Sequence, residues 1–229
     1  MYQGLHGAAQ IYFQMSKYKE AVEHWNKLIQ IQPMAPTNIR FNLGTANHKL
    51  AILEENAAEK EKLLRQAVEH YRFCIGQSNN NFRALANLAE ALRELGDVSE
   101  SINYLFKALK LIEERADSDK HSAALLHENI GFAYLQTQQL DKAIHYWKLC
   151  LNVHPTNDLV HFYCAESYYQ IINSQHVNNI NNVNLYSEAM FHAKQANMLL
   201  PNEERYSLTL KKLEKTGAHL RNSGTLKLN

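Results

Sequence analysis

Two distant stretches of this chain align without a gap. Leu5-His6-Gly7-Ala8-Ala9-Gln10-Ile11-Tyr12 is followed by Ala21, Trp25 and Pro33. His127-Glu128-Asn129-Ile130-Gly131-Phe132-Ala133-Tyr134 is followed by Ala143, Trp147 and Pro155. In both, twelve residues separate the small residue (Ala9, Gly131) from the alanine, and twelve more reach the proline. A third copy runs through Leu85, Leu88, Ala89 and Leu92 to Ser101, Leu105 and Ala108, again with twelve residues from 89 to 101. Two further copies are interrupted. Leu43-Gly44 finds its match in Ala67, Tyr71 and Cys74 only eleven residues late, and Ala165 with Tyr168 finds Ala189, Ala193, Ala196 and Pro201 twelve residues late. The small-residue slots at 9, 44, 89, 131 and 165 are therefore spaced by 35, 45, 42 and 34. A unit of this length cannot bury its own apolar face, so such units become stable by stacking.

The slots predict helical hairpins. A small residue on the first helix of each unit (Ala9, Gly44, Ala89, Gly131, Ala165) lets the second helix approach closely. Tyr12, Tyr134 and Tyr168 fill the space one turn on, and Trp25, Tyr71, Leu105 and Trp147 on the second helices pack toward the next unit. Ser16 with Glu20, Asp97, and Asp141 near Ala143 mark helix starts. Pro33, Pro155 and Pro201 close second helices. Eleven inserted residues are about three helical turns, so the stretch from Leu53 to Lys62 reads as a longer, protruding hairpin with a charged tip. The asparagine-rich insert reads as a flexible loop.

These features resemble the tetratricopeptide repeat, a helix-turn-helix unit of about 34 residues with the pattern W-x2-L-G-x2-Y…A-x3-F…P. The resemblance covers about residues 3 to 201 in five units. It implies an all-α, right-handed superhelical solenoid of antiparallel helical hairpins. The units fall at residues 3–34, 35–78 (with the extended hairpin), 79–116, 117–156 and 157–201 (with the loop over 173–184). A capping helix over 202–216 and a loose tail over 217–229 follow. In this family the first helices line a concave groove where partner peptides commonly bind. Asn42, Asn87 and Asn129 recur two residues before the small slot. They match positions where family members hold a peptide backbone, since an amide both donates and accepts. Service between helices is the alternative reading. Some relatives clamp acidic chaperone tails with lysine, arginine and asparagine. The matching residues here are His6, Gln10, Asn42, Arg83 and Asn87, which lack the paired cations such a clamp needs.

Composition narrows the function. Lys plus Arg number 24 and Asp plus Glu 23, a net charge of +1 that argues against nucleic-acid binding. No apolar run approaches the ~20 residues of a membrane helix, and Met1 to His6 lacks a signal-peptide pattern. Three cysteines cannot complete a disulfide framework, so a reducing, cytoplasmic setting is expected.

No phosphate loop, H-E-x-x-H, C-x-x-C or G-x-S-x-G motif occurs, so no catalytic residue, cofactor or metal is expected. Cys150, His154, His161 and Cys164 imitate a zinc set. However, Cys150 takes the slot of Cys74, Ala108 and Ala196, and Cys164 that of Leu43, Leu88 and Ile130, so both thiols read as small core hydrophobes. The groove of the second and third units offers a polar mixture: Asn38, Phe41, Thr45, His48, Arg83, Glu90 and Arg93. The fourth and fifth offer Leu125, Phe132, Leu135, Leu159, Phe162, Tyr163 and Tyr169, with Glu128 and Glu166 among them. Apolar side chains without an obvious core duty point to a contact surface, although packing against the terminal helix would also use them. The expected function is a scaffold or adaptor holding a peptide or helix at Asn42, Asn87, Asn129, Glu128, Phe132, Leu135, Phe162, Tyr163, Glu166 and Tyr169. Glu128 and Glu166 favour a ligand carrying Lys or Arg. The alternative is a recruiting or regulatory segment of a larger enzyme such as a glycosyltransferase. The first helix starts almost at Met1 with no cap before it, so a partner or further sequence covering that end is expected.

Overall fold

A computed structural model describes residues 2–78, 81–114, 119–174 and 181–222, and all its elements are α-helices. They form two compact bodies, Met1–Asp119 and Lys120–Asn229. The first holds three antiparallel hairpins: α1 (Tyr2–Gln14) with α2 (Tyr18–Ile31), α3 (Thr37–Leu53) with α4 (Ala57–Gln77), and α5 (Phe82–Glu94) with α6 (Val98–Glu113). The second holds α7 (Lys120–Gln136) with α8 (Leu140–Leu151), α9 (Asp158–Ser174) with α10 (Asn181–Leu199), and a final helix α11 (Glu204–Asn222).

The small-residue slots set the distance between the helices of each hairpin. A Cβ placed on Gly44 would lie 2.9 Å from the Tyr71 ring, and one on Gly131 would fall inside the Trp147 indole. The second-helix aromatics then reach the following hairpin. Tyr71 of α4 shares a cluster with Leu88, Ala91 and Leu92 of α5, and Trp147 of α8 with Val160 and Cys164 of α9. Trp25, Tyr71, Leu105 and Trp147 are all at most 1% exposed. Nearest-neighbour contacts thus build a core without long-range pairing.

Helix ends depart from the sequence reading. Ser16 stands at φ +58°, in the left-handed region, and Lys17 is the N-cap of α2. Asp97 does mark the start of α6 as its N-cap, although without a side-chain cap bond, whereas Asp141 lies inside α8 behind the N-cap Gln139. Asparagines cap instead: Asn56 accepts from Glu59 N at 3.1 Å, Asn81 from Ala84 N at 3.1 Å and Asn157 from Val160 N at 3.0 Å. A short amide side chain at an extended or turn residue reaches the orphan N–H three positions on.

The eleven-residue insert is shared between α3 and α4, which run to 17 and 21 residues against 13 for α5 and 16 for α6. The turn between them is Glu54 to Asn56. The asparagine-rich segment is shorter than a loop over 173–184, because α9 reaches Ser174 and α10 begins at Asn181; residues 175–180 lie outside the described residues. The last helix runs past 216 to Asn222, with Gly217 and Leu220 buried, so the tail expected from 217 starts later. Packing against α10 overrides the low helix propensity of glycine there. Residues 223–229, 79–80 and 115–118, where the tail and the unit boundaries near 79 and 116 were expected, lie outside the described residues.

The slot arrangement makes a direct prediction. Trp147→Ala should lower stability by ~3–5 kcal/mol. Gly131→Ala should cost ~1–3 kcal/mol through overpacking of the same indole. Urea unfolding of both variants measures this, and values near those of neutral surface changes would place Trp147 outside the core.

Candidate functional site

The first helices α7 and α9 and the last helix α11 enclose a cavity of about 280 Å³. Leu135, Phe162, Tyr163, Glu166, Ser167 and Gln170 line it from α7 and α9, and Arg205, Leu208, Thr209 and Lys212 from α11. Four of the residues singled out in the sequence therefore converge here: Leu135, Phe162, Tyr163 and Glu166. Its floor is aromatic. Phe132 stands edge-on to Trp147 at 5.4 Å between ring centroids and to Tyr163 at 5.1 Å, so the slot tryptophan of α8 props the cavity from behind.

α11 changes the roles of several residues. Phe162 is only 9% exposed, because its ring stacks on Tyr206 at 5.0 Å while the Arg205 guanidinium lies 5.4 Å from its centroid. It is a wall of the cavity and not the exposed anchor the sequence suggested. Tyr206 is itself buried and donates to Asp158 at 2.7 Å, fastening α11 to the first turn of α9. Tyr169 packs into the α9–α10–α11 core, with Lys212 Nζ 6.0 Å from its ring centroid, and does not line the cavity. Glu166 accepts a hydrogen bond from the Thr209 hydroxyl and lies 3.7 Å from Lys212 Nζ. Glu128 accepts from Asn157 Nδ2 at 3.1 Å. Both carboxylates accept hydrogen bonds within the protein, and Glu166 is also near a cation, whereas the Asn157 amide leaves the charge of Glu128 in place. Arg205 is likewise held by Glu203 at 2.8 Å.

The three asparagines separate. Asn129 lies half-buried on α7, while Asn42 and Asn87 belong to the N-terminal body on α3 and α5. Asn87 Nδ2 donates to Tyr71 Oη at 3.5 Å, which is bonding between helices. The α11 residues Arg205, Leu208, Thr209 and Lys212 were not foreseen. Their signal was present in the spacing of Tyr206, Thr209 and Leu213, an inward stripe with a hydroxyl opposite Glu166.

The zinc-like quartet is dispersed. Cys150 and Cys164 are fully buried, and burial pushes each thiol up to about 12. His154 meets His121 at 2.6 Å, and His161 turns to His192 and the Pro155 carbonyl. The latter pair borders a second concavity of about 390 Å³ between α8, α9 and α10, with Lys148, Glu188 and Phe191. His161 and His192 are buried with their Nδ1 atoms 2.8 Å apart, so one ring donates and the other accepts, and neither gains from a second proton. Burial first, and His161 second, hold His192 down to about 4; the Lys148 charge adds to this and Glu188 opposes it.

The family pattern described as "TPR repeat" matches residues 9–50, and that described as "Tetratricopeptide repeat" matches residues 82–115. Among curated proteins none matches this sequence. Several solved structures share the fold. MamA from Desulfovibrio magneticus RS-1 is 13% identical with a TM-score of 0.66, over 89% of this chain and 97% of its own. The MamA structure designated MSR-1 C2 is 18% identical with a TM-score of 0.62, over 86% and 95%. YrrB, described as a TPR protein with an unusual peptide-binding site, is 14% identical with a TM-score of 0.60, over 90% of each chain.

The histidine pair predicts an acid-sensitive fold. A histidine held below its ordinary value leaves the unfolded chain binding more protons than the folded one between pH 6.5 and about 4. Stability is therefore complete above pH 6.5 and is lost as pH falls through that window. From about pH 7 to about pH 5 the loss from His192 should be roughly 2 kcal/mol. Urea unfolding at the two pH values checks this, and His192→Gln should lose markedly less than the native chain.

Proposed function

The chain is a tetratricopeptide-repeat protein, and from that premise we propose that it is a non-enzymatic interaction scaffold that captures a partner's peptide or helical segment between α7, α9 and α11. The cavity lined by Leu135, Tyr163 and Leu208 carries this reading. Leu208 is 51% exposed at its edge, an apolar side chain with no core duty, and Tyr163 is half-buried beneath it. Small-molecule pockets are usually ~300–1,000 Å³. A cavity of about 280 Å³ suits one or two inserted side chains of a longer chain better than a whole cofactor. Gln170 in the lining, and Asn129 elsewhere on α7 outside it, carry amides that can both donate to and accept from a backbone. The described peptide-binding site of YrrB, on a similar fold, is in keeping with the assignment.

The charges define what enters. Glu166 with Lys212 and Glu203 with Arg205 are paired ions at the rim, so neither pair presents an unbalanced charge to recruit an opposite one from the ligand. An apolar segment with few charges is therefore the fitting ligand. No helix among the described residues is long and apolar enough to cross a membrane, and all three cysteines are free thiols. A reducing compartment such as the cytoplasm suits both.

A peptide selected from a random library on the immobilised chain, then followed by fluorescence anisotropy, tests the site. Tyr163→Ala and Leu208→Asp should each weaken binding by ~2 kcal/mol or more, and Asn129→Ala by ~1 kcal/mol. The exposed Ile52 and Leu53 beside the α3–α4 turn form a rival surface. Normal binding by the Leu208→Asp and Tyr163→Ala variants, with loss in Leu53→Asp, would move the site to that hairpin.

A further inference from the structure

The N-terminal body contains a second constellation that no sequence motif announces. His48 on α3 faces Glu90 and Glu94 on α5, and one ligand atom from each lies within 4.8 Å of the other two. Glu90 and Glu94 are four apart on one helix, so their carboxylates share a face. His48 is 5% exposed and its Nε2 lies 3.1 Å from Glu94 Oε1. The side chain of Glu94 is 18% exposed. A buried imidazole nitrogen is thus directed at two half-buried carboxylates contributed by a neighbouring helix.

We propose that His48, Glu90 and Glu94 form a divalent-metal site, with zinc as the fitting ion, joining the first helices of the second and third hairpins. The donor set selects the class. One imidazole nitrogen and two carboxylate oxygens are ligands zinc takes, with a fourth position left for water or for a ligand from outside. Calcium needs six to eight oxygens and magnesium prefers oxygen with several retained waters, so the imidazole turns the site toward transition ions. Tetrahedral bonds of about 2.0–2.2 Å require ligand atoms about 3.4 Å apart. The His48–Glu94 pair is already near that separation, at 3.1 Å. The Glu90 ligand atom lies within 4.8 Å of the other two, a gap that the flexible Glu90 side chain can close.

The charge balance points the same way. Two carboxylates four apart on a helix repel. The His48 hydrogen bond first, and the Lys60 and Arg93 charges after it, lower Glu94, and the Lys60 Nζ is 3.9 Å from Glu94 Oε2 on a side chain 40% exposed. Such a lysine can swing into solvent when an ion arrives. The ion would carry two positive charges to a place that holds two negative ones. On loading, His48 Nε2 becomes the metal's lone-pair donor, the neutral ring carrying its proton on Nδ1 after exchange with solvent. Because repeat hairpins are held by contacts to their neighbours, an ion bridging α3 and α5 tightens that seam.

Calorimetric titration of the full chain, stripped with chelator and dialysed, with zinc chloride alone decides the matter. The expected result is one zinc per chain with a matching rise in melting temperature, and no rise with magnesium chloride. Glu90→Gln should weaken zinc binding by about tenfold or more and abolish the rise, while the metal-free variant melts at or above the metal-free native chain because one of two like charges is gone. His48→Gln should lose binding as well. The His121 and His154 pair, 2.6 Å apart, is an exposed nitrogen pair that could take zinc instead. Binding should survive His121→Ala combined with His154→Ala. Zinc binding that is lost in that double variant, or is unaffected by Glu90→Gln, overturns the assignment, as does the absence of any heat or thermal shift.

Discussion

The α3–α4 and α7–α8 hairpins are each organised by the contact between a side chain that is nearly absent on one helix and an aromatic ring on the next. Gly131 against Trp147 and Gly44 against Tyr71 leave no room for even a methyl group. That contact fixes the spacing of the two helices and, with it, where the far edge of the ring emerges. In α8 the ring emerges against Val160 and Cys164, and in α4 the corresponding ring meets Leu88 and Leu92. One close approach thus determines both the hairpin and its stacking on the next. This is why the slot can recur at irregular spacing while the packing stays regular. The residues inserted between Gly44 and Ala67 lengthen α3 and α4 beyond the contact and leave the contact itself in place.

What the slots do not determine is the side of the first helices turned away from the second. Those positions are less constrained by the slot and carry the chain's individuality. In the N-terminal body they hold His48, Glu90 and Glu94; in the C-terminal body they hold Leu135, Tyr163 and Glu166. The two sets differ in what they can bind. Carboxylates and an imidazole offer lone pairs to an ion, whereas a leucine and a tyrosine offer area that must be covered by other apolar atoms.

The hairpins and their inward residues were legible in the sequence because a packed slot tolerates few side chains. Ala9, Ala21, Ala143, Cys150 and Cys164 are all fully buried, as their positions in the repeat imply. Helix ends were less legible. Ser16 has the composition of an N-cap but sits in a left-handed turn, and the cap function falls to Asn56, Asn81 and Asn157. The residues of the candidate cavity were half legible. Phe162 and Glu166 lie on the face a repeat pattern assigns to a groove, but the pattern ends before α11. That helix is not a repeat unit, and its Tyr206, Thr209 and Lys212 convert an open face into a lined cavity. A local motif cannot register a partner helix supplied by later sequence.

α11 therefore acts in two ways that are physically connected. To cover the end of the last hairpin it must bury apolar surface, which it does with Tyr206, Leu213 and Leu220. To lie across α9 it must also satisfy the polar groups it crosses, which it does through Tyr206 to Asp158 and Thr209 to Glu166. The two hydrogen bonds hold it along α9 at separate points, and Gln170 remains uncovered beside it. Had the helix carried a leucine in place of Thr209, Glu166 would lose a bond and gain an apolar neighbour, a combination disfavoured for a half-buried carboxylate. The polar crossing points thus fix the seating of the cap, and that seating leaves Tyr163 and Leu135 open beside Leu208. The cap and the cavity are consequences of the same few contacts.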